Sequence, residues 1–361
     1  MKKQKKNSEK SETLRWGETP ILLNFKTGEK MENKKPTALL IDGHNTFMRA
    51  YAVDPSLSTN GDPIGGVKGF LKILQRELRD LNVERVIVVW DGPGGSRKRR
   101  LINNQYKQGR KPVSLSKSLN RHSEGFTDDQ KRENVAWQMS KVMEYLNEFP
   151  VIQLMMEDVE ADDVIAYLTG ASSLNGWNKI VYSNDKDFLQ LCNESVRVYR
   201  PIKREMRDVD NILEEHGIHP TNFAMARAIV GDTSDNLPGI KRVGLKTVKS
   251  CFEFLGEEKT YTFSDIKQYC MYTKSKKQAY KNILENFDLV EQNYKIMQLY
   301  SPMMSIQTKN KIDYVLNNAA YELNFTNLLV KMSKDGFGHW NWDTLKQKMR
   351  YIVKSNRVST N

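Results

Sequence analysis

The chain has 361 residues, enough for two domains or for one large α/β domain with appendages, so burying a core poses no difficulty. Its 56 Lys and Arg outnumber 44 Asp and Glu and leave +12, which suits a polyanionic partner, either nucleic acid or an anionic membrane surface. No run of about 18 apolar residues occurs, and polar residues follow Met1-Lys2-Lys3-Gln4-Lys5-Lys6 where a secretory signal needs an apolar stretch. Cys192, Cys251 and Cys270 lack the spacing of a disulfide framework or a zinc knuckle. These features predict a soluble cytoplasmic protein with reduced thiols and no membrane span.

Residues 1–35 are polar and rich in Lys, Glu and Asn, with only 21–25 locally apolar, which predicts a loose basic tail. From Thr37 onward, short apolar runs rich in Val, Ile and Leu stand at 38–41, 86–90, 151–155 and 179–182, as buried parallel strands do. Between them, 67–81 and 134–147 carry apolar residues at helical spacing. This alternation predicts an α/β fold with a mainly parallel central sheet flanked by helices.

An acid follows each run. Asp42 closes Ile41-Asp42-Gly43, Asp91 closes Trp90-Asp91-Gly92, and Asp185 and Asp187 sit in Ser183-Asn184-Asp185-Lys186-Asp187. After the third run, Glu160-Ala161-Asp162-Asp163 opens a helix that places Glu160 and Asp163 on one face. Asp232 and Asp235 come later, in Gly231-Asp232-Thr233-Ser234-Asp235-Asn236. Taken singly, each acid reads as an N-cap, a turn residue or a helix-dipole partner. Jointly that reading fails, because the carboxyl ends of parallel strands form one crevice and two carboxylates ~4 Å apart repel by ~4 kcal/mol at a protein surface. Bound cations would make the cluster tolerable. An oxygen-only donor set, with His44 the one nearby nitrogen ligand, selects Mg²⁺ or Mn²⁺ over zinc, and so many acids suggest two ions, an arrangement suited to phosphodiester hydrolysis. Glu157 and Asp158 read as exposed loop acids outside the set.

The segment from Arg97 to Ser123 carries Arg97, Lys98, Arg99, Arg100, Lys107, Arg110, Lys111, Lys117 and Arg121 and no acid. It leaves the acidic edge through Asp91-Gly92-Pro93-Gly94-Gly95, so it can rise over the site and contact phosphates, the alternative being a linker. Further on, Leu237-Pro238-Gly239-Ile240-Lys241-Arg242-Val243-Gly244-Leu245-Lys246-Thr247 brackets a tight turn with glycines. A helix starting at Leu245 would offer backbone N–H groups and Lys246 to a phosphate, and a plain packing role is the alternative.

Asp42-Gly43, Asp91, Tyr106-Lys107-Gln108-Gly109-Arg110-Lys111-Pro112, Glu160-Ala161-Asp162-Asp163-Val164, Asp185-Lys186-Asp187 and Gly231-Asp232-Thr233-Ser234-Asp235-Asn236-Leu237-Pro238-Gly239 together resemble the structure-specific 5′-nucleases, a group with a PIN-like core. It includes flap endonucleases, the 5′-to-3′ exonuclease domain of bacterial DNA polymerase I and stand-alone bacteriophage versions. The motifs run in family order over 37–250, and 321–332 looks like the last helix of the polymerase I nuclease domain. The resemblance implies that Asp42, Asp91, Glu160 and Asp162 serve one Mg²⁺ or Mn²⁺ and that Asp163, Asp185, Asp187 and Asp235 serve a second, with Asp232 in the outer shell. It also implies that Lys107 and Arg110 of a helical arch steady the scissile phosphate, with Arg99 and Lys111 assisting on DNA. Gly239, Lys241, Gly244, Lys246 and Thr247 resemble a helix-hairpin-helix that grips duplex DNA, often in the family with a K⁺ ion.

The implied organisation is a tail at 1–35, a nuclease core at 36–215 with its arch at 95–130, a helix-hairpin-helix region at 216–300 and a helical extension at 301–361. The implied activity is 5′-3′ exonuclease or flap endonuclease cutting of flapped, nicked or RNA-primed DNA, in replication and repair, by a monomer without its own polymerase. A host-cytoplasmic phage enzyme fits, and a single-strand-binding or clamp protein is a candidate partner. The rivals are a PIN-like ribonuclease, which would not need the 239–247 turn, and a protein that binds branched DNA without cutting. Phe337, Trp340 and Trp342 form either a packing cap or a docking site.

Overall fold

The computed structural model describes residues 35–109 and 126–358. The expected tail therefore lies outside the described residues, as do Arg110, Lys111, Lys117, Arg121 and the middle of the expected arch. Within the described residues the sheet has six strands: β1 (Thr37–Asp42), β2 (Arg85–Trp90), β3 (Ile152–Met155), β4 (Asn178–Tyr182), β5 (Val196–Arg200) and β6 (Glu205–Arg207). Their order is β3-β2-β1-β4-β5-β6, with β6 alone antiparallel. The four expected strands are present to within one residue at either end. The sequence reading did not include β5 and β6.

Alternation along β1 divides the core between the two faces of the sheet. Ala38 and Leu40 face the layer that holds the helix Ala161–Gly170 and the later helices around Phe223 and Val290. Leu39 and Ile41 face Phe47, Phe70, Leu74 and Tyr145 on the other side. That second layer contains α1 (Gly43–Val53), α2 (Gly65–Asp80) and, after the short α3 (Arg97–Ile102), α4 (Asp128–Leu146). The first layer contains α5 (Ala161–Gly170). The helix expected at 134–147 starts six residues earlier, because Thr127 and Gln130 form a capping box that satisfies its first N–H groups. No helix among the described residues is long and apolar enough to cross a membrane.

The helix expected at 321–332 spans Phe325–Lys334, since the Asn324 N–H is tied to the Glu148 carbonyl at 2.9 Å. Beyond it, Phe337 is buried and stacks on Trp340 at 5.5 Å, and Trp340 stacks on Trp342 at 5.2 Å. The Trp340 indole N–H donates to Gln75 of α2 at 2.9 Å. The three rings thus close over α2 as packing, with the indole N–H satisfied.

Candidate active site

Strand register brings the acids level. Ile41 pairs with Tyr182 and Asp42 with Val89, so Asp42, Ser183 and Asp91 leave the sheet within two residues of one another, where the order turns from β2-β1 to β1-β4. That reversal is the point at which open α/β sheets bind ligands. Gly92 is required there, since a Cβ on it would lie 1.7 Å from the Met156 carbonyl oxygen. Each acid then does the local work its position asks for. Asp42 caps α1 by accepting from Asn45 N–H at 3.0 Å, and Asp91 accepts from Ala161 N–H at 2.8 Å, which ties β2 to the start of α5. Asp185 accepts from Asp187 N–H at 2.8 Å, and Asp232 from Ser234 N–H at 2.8 Å.

Two buried arginines organise the remaining carboxylates. Arg99 of α3 is 2 % exposed, and its Nη1 donates to Glu160, to Asp162 at 3.2 Å and to Asp163 at 2.8 Å, while Nε donates to the Ile296 carbonyl at 2.9 Å. Expected on DNA, Arg99 instead faces inward and offers no surface. Asp163 is 1 % exposed, and its other oxygen accepts from Met303 N–H at 2.9 Å. Arg227, in the helix Pro220–Val230, donates to Asp187 at 2.9 Å and to Asp232. Sequence reading missed Arg227. The signal was a lone cation inside Ala-Met-Ala-Arg-Ala-Ile-Val, where a buried charge implies a carboxylate partner.

The turn at 105–107 meets this cluster. Lys107 Nζ donates to Glu160 at 2.6 Å, and the buried Tyr106 hydroxyl donates to the same carboxylate at 3.1 Å. Lys107 has φ 57°, and its N–H donates to the Asp235 carbonyl at 2.9 Å; Asn236 Nδ2 donates to the Gln105 carbonyl at 3.0 Å. The 105–107 turn is thereby stitched to the turn that carries Asp232 and Asp235. A cleft of about 530 Å³ opens beside it, lined in part by Asn45, Asp185, Arg227, Asp232 and Asp235.

Electrostatics records the crowding. Burial pushes Asp42 up to about 7, with the Asn45 N–H holding it back and Asp91, Asp185 and Asp162 adding to the rise. Asp187 is pushed to about 7 by burial and then by Asp185, against the pull of Arg227. Asp163 reaches about 6 through burial and Asp162, with Arg99 opposing. Asp185 is also raised, by burial and then by Asp162 and Asp235, although solvent reaches it from the cleft. Asp232 goes the other way, because Ser234 and Arg227 outweigh its burial.

Among the described residues, no three of these acids are drawn in around a common point closely enough to hold an ion. The donor set nevertheless fits hard divalent cations. It is all oxygen, it is fixed on rigid elements, and its Asp42, Asp185 and Asp187 carboxyls are held above their ordinary range by burial and then by neighbouring carboxylates.

Away from the acids, Gly239 sits against the end of the helix Pro220–Val230, where a Cβ would lie 1.7 Å from the Val230 carbonyl oxygen. Lys241, Gly244 and Lys246 are exposed and Thr247 is half-buried. Gly244 caps the helix Leu245–Cys251 without a side-chain bond, leaving that end open.

The family described as 5′-3′ exonuclease, N-terminal resolvase-like domain, matches residues 37–217. A 5′-3′ exonuclease of Aquifex aeolicus is 28% identical over 268 residues, covering 74% of this chain and 83% of that protein. The thermostable DNA polymerase I of Thermus aquaticus is 30% identical over 223 residues, 62% of this chain and 24% of the polymerase. Among solved structures, the bacteriophage T5 D15 flap endonuclease, in a complex with DNA and metal ions, superposes with a TM-score of 0.57 at 17% identity, covering 88% of this chain and 98% of that one. That likeness shows a common fold.

Proposed function

This chain belongs to the 5′-3′ exonuclease family, and from that premise we propose that it hydrolyses phosphodiesters at 5′ ends, or at the single-strand/duplex junction, of flapped, nicked or RNA-primed DNA. The observation that carries the reading is the convergence of Asp42, Asp91, Glu160, Asp162 and Asp185 at one sheet edge with Lys107 at their rim. Asp42, Asp91, Glu160 and Asp162 would hold one Mg²⁺ or Mn²⁺, and Asp163, Asp185, Asp187 and Asp235 the other, the bound ions supplying an activated water and positive charge for the scissile phosphate. Asp232 acts from the outer shell through Arg227.

The chain's own residues position and neutralise. Arg227 sets the orientation of Asp187, and Arg99 sets that of Glu160 and Asp163. Lys107 brings a cation to the edge of the cleft, where a phosphate would exchange for Glu160; Arg110 and Lys111, which come next in the sequence, would add further cations for the phosphate. The 239–247 turn grips duplex backbone through Lys241, Lys246 and the open end at Gly244, with K⁺ as its ion. In this reading 36–215 holds the chemistry with 95–130 as its arch, 216–300 holds the duplex, and 301–361 braces the core.

The test is cleavage of 5′-end-labelled and 3′-end-labelled flap substrates in Mg²⁺. Cutting at the 5′ junction is expected, with Asp185→Asn lowering the rate by at least about 100-fold, the upper end for groups that support a metal. Near-normal cutting by that variant would overturn the metal assignment. Faster cutting of single-stranded RNA than of the flap would favour a PIN-like ribonuclease.

A further inference from the structure

Residues 266–284 hold Lys267, Lys274, Lys276, Lys277 and Lys281 and no acid. The helix Phe263–Tyr272 buries Ile266 and Cys270, yet ends with Met271 61 % exposed and Tyr272 82 % exposed. Lys267 is paired with Glu291 at 3.0 Å, Lys281 with Glu285 at 3.7 Å, and Lys277 donates to a backbone carbonyl, which leaves Lys274 and Lys276 as the exposed cations of the loop. A thioether and a phenol ring held out beside these two form an exposed apolar spot rimmed by positive charge, which marks an interaction surface.

The position of this loop is set by the turn already described. Lys277 Nζ donates to the Ser250 carbonyl, Tyr280 Oη to the Cys251 carbonyl at 3.0 Å, and Asn282 Nδ2 to the Lys241 carbonyl at 3.3 Å. The loop is thus moored at both ends of 241–251. The helix Leu245–Cys251 has 7 residues and is about 10 Å long, so Ser250, where Lys277 is moored, stands about that far from the open end at Gly244.

We propose that the loop is a second contact for the duplex arm, with Lys274 and Lys276 against its phosphates and Met271 and Tyr272 against its sugars. The proposal rests on the reading of 239–247 as a duplex grip and extends it. A duplex fits better than a single strand, because a single-strand track requires successive free aromatic platforms, and the other exposed ring of the segment, Tyr269, is packed against Phe252, Phe254 and Tyr280.

The test measures binding of the full chain in EDTA to duplexes with arms of increasing length, by fluorescence anisotropy. The wild-type chain should bind more tightly once the arm is long enough to reach the loop. The double variant K274Q/K276Q should lose about tenfold on long arms at low salt, flatten the slope of log affinity against log salt by about 1.8, and bind short arms unchanged. Tyr272→Ser should weaken long-arm binding alone, and an unchanged thermal midpoint in both variants confirms their folding. Equal losses on short and long arms, no loss on any arm, or a larger loss on single strands would overturn the proposal. These outcomes are separate from the nuclease reading, which fails if the wild-type chain cuts no 5′-ended substrate in Mg²⁺, and from the grip reading, which fails if K241Q/K246Q binds all arms normally.

Discussion

Arg99 shows how much a single side chain carries here. Its guanidinium lies among Glu160, Asp162 and Asp163, and the Glu160 and Asp163 carboxylates are too buried to rely on water instead. Removing one partner of a buried ionic network leaves an uncompensated charge, which typically costs about 3–5 kcal/mol. Arg99→Gln should therefore lower stability by about that amount in urea unfolding; a loss below about 1 kcal/mol would show that the carboxylates find other partners. The raised acids give a second prediction. Asp42 and Asp187 reach about 7 in the folded chain against an ordinary 3.8, so the folded state holds their protons more tightly than the unfolded state does. The stability they contribute is complete below about pH 4 and is lost as pH rises through about 7. In EDTA the thermal midpoint should fall over that window relative to the same chain in Mg²⁺, where cations take the place of protons. Midpoints that run parallel in the two buffers would mean that no cation binds these acids. That these residues are acids at strand ends was legible in the sequence. That Arg99 points inward was not, because nothing in Arg97-Lys98-Arg99-Arg100 distinguishes the one arginine whose register on α3 faces α5.

At the scale of elements, continuous apolar runs were readable because β1, β2 and β4 are covered on both faces. β5 escaped because its Val-Arg-Val-Tyr-Arg alternates, being half-covered near the edge of the sheet, and β6 because three residues, Glu-Met-Arg, carry no pattern of their own. The glycines of the 237–247 turn were legible as a turn, but their division of labour was not. Gly239 is required by close approach to Val230, whereas a Cβ on Gly244 would meet nothing within 4 Å. Gly239→Ala should then destabilise the fold by about 1–3 kcal/mol, the usual penalty of overpacking, and Gly244→Ala by less than about 0.5 kcal/mol, as at an ordinary surface position. Denaturation curves of the two variants decide the matter, and equal effects would mean that the turn does not pack against the helix Pro220–Val230 as described.

At the scale of the whole molecule, the question is whether the last forty residues belong to the fold or await a partner. Three exposed-looking aromatic residues in a polar segment read either way in the sequence, because only the tertiary partner decides and that partner, Gln75 on α2, lies 265 positions away from Trp340. The structure weighs against docking. Phe337, Leu345, Met349 and Ile352 are between 0 and 3 % exposed, and all four belong to the core that also contains Phe70 and Leu74 of α2. Asn356 adds hydrogen bonds to the Glu84 carbonyl at the entry to β2 and to Arg85, on β2 itself. At roughly 1.5–3 kcal/mol for each large apolar side chain, removing these four would forfeit about 6–12 kcal/mol, as much as the whole stability of a typical domain, about 5–15 kcal/mol. A chain ending at Met332 should therefore lose its cooperative thermal transition, with or without Mg²⁺, while a chain ending at Val358 should melt with the full-length protein. If the chain ending at Met332 instead kept its melting temperature, the three aromatic rings would be dispensable to the core and free to serve a partner, and the extension would have to be reassigned from brace to docking surface.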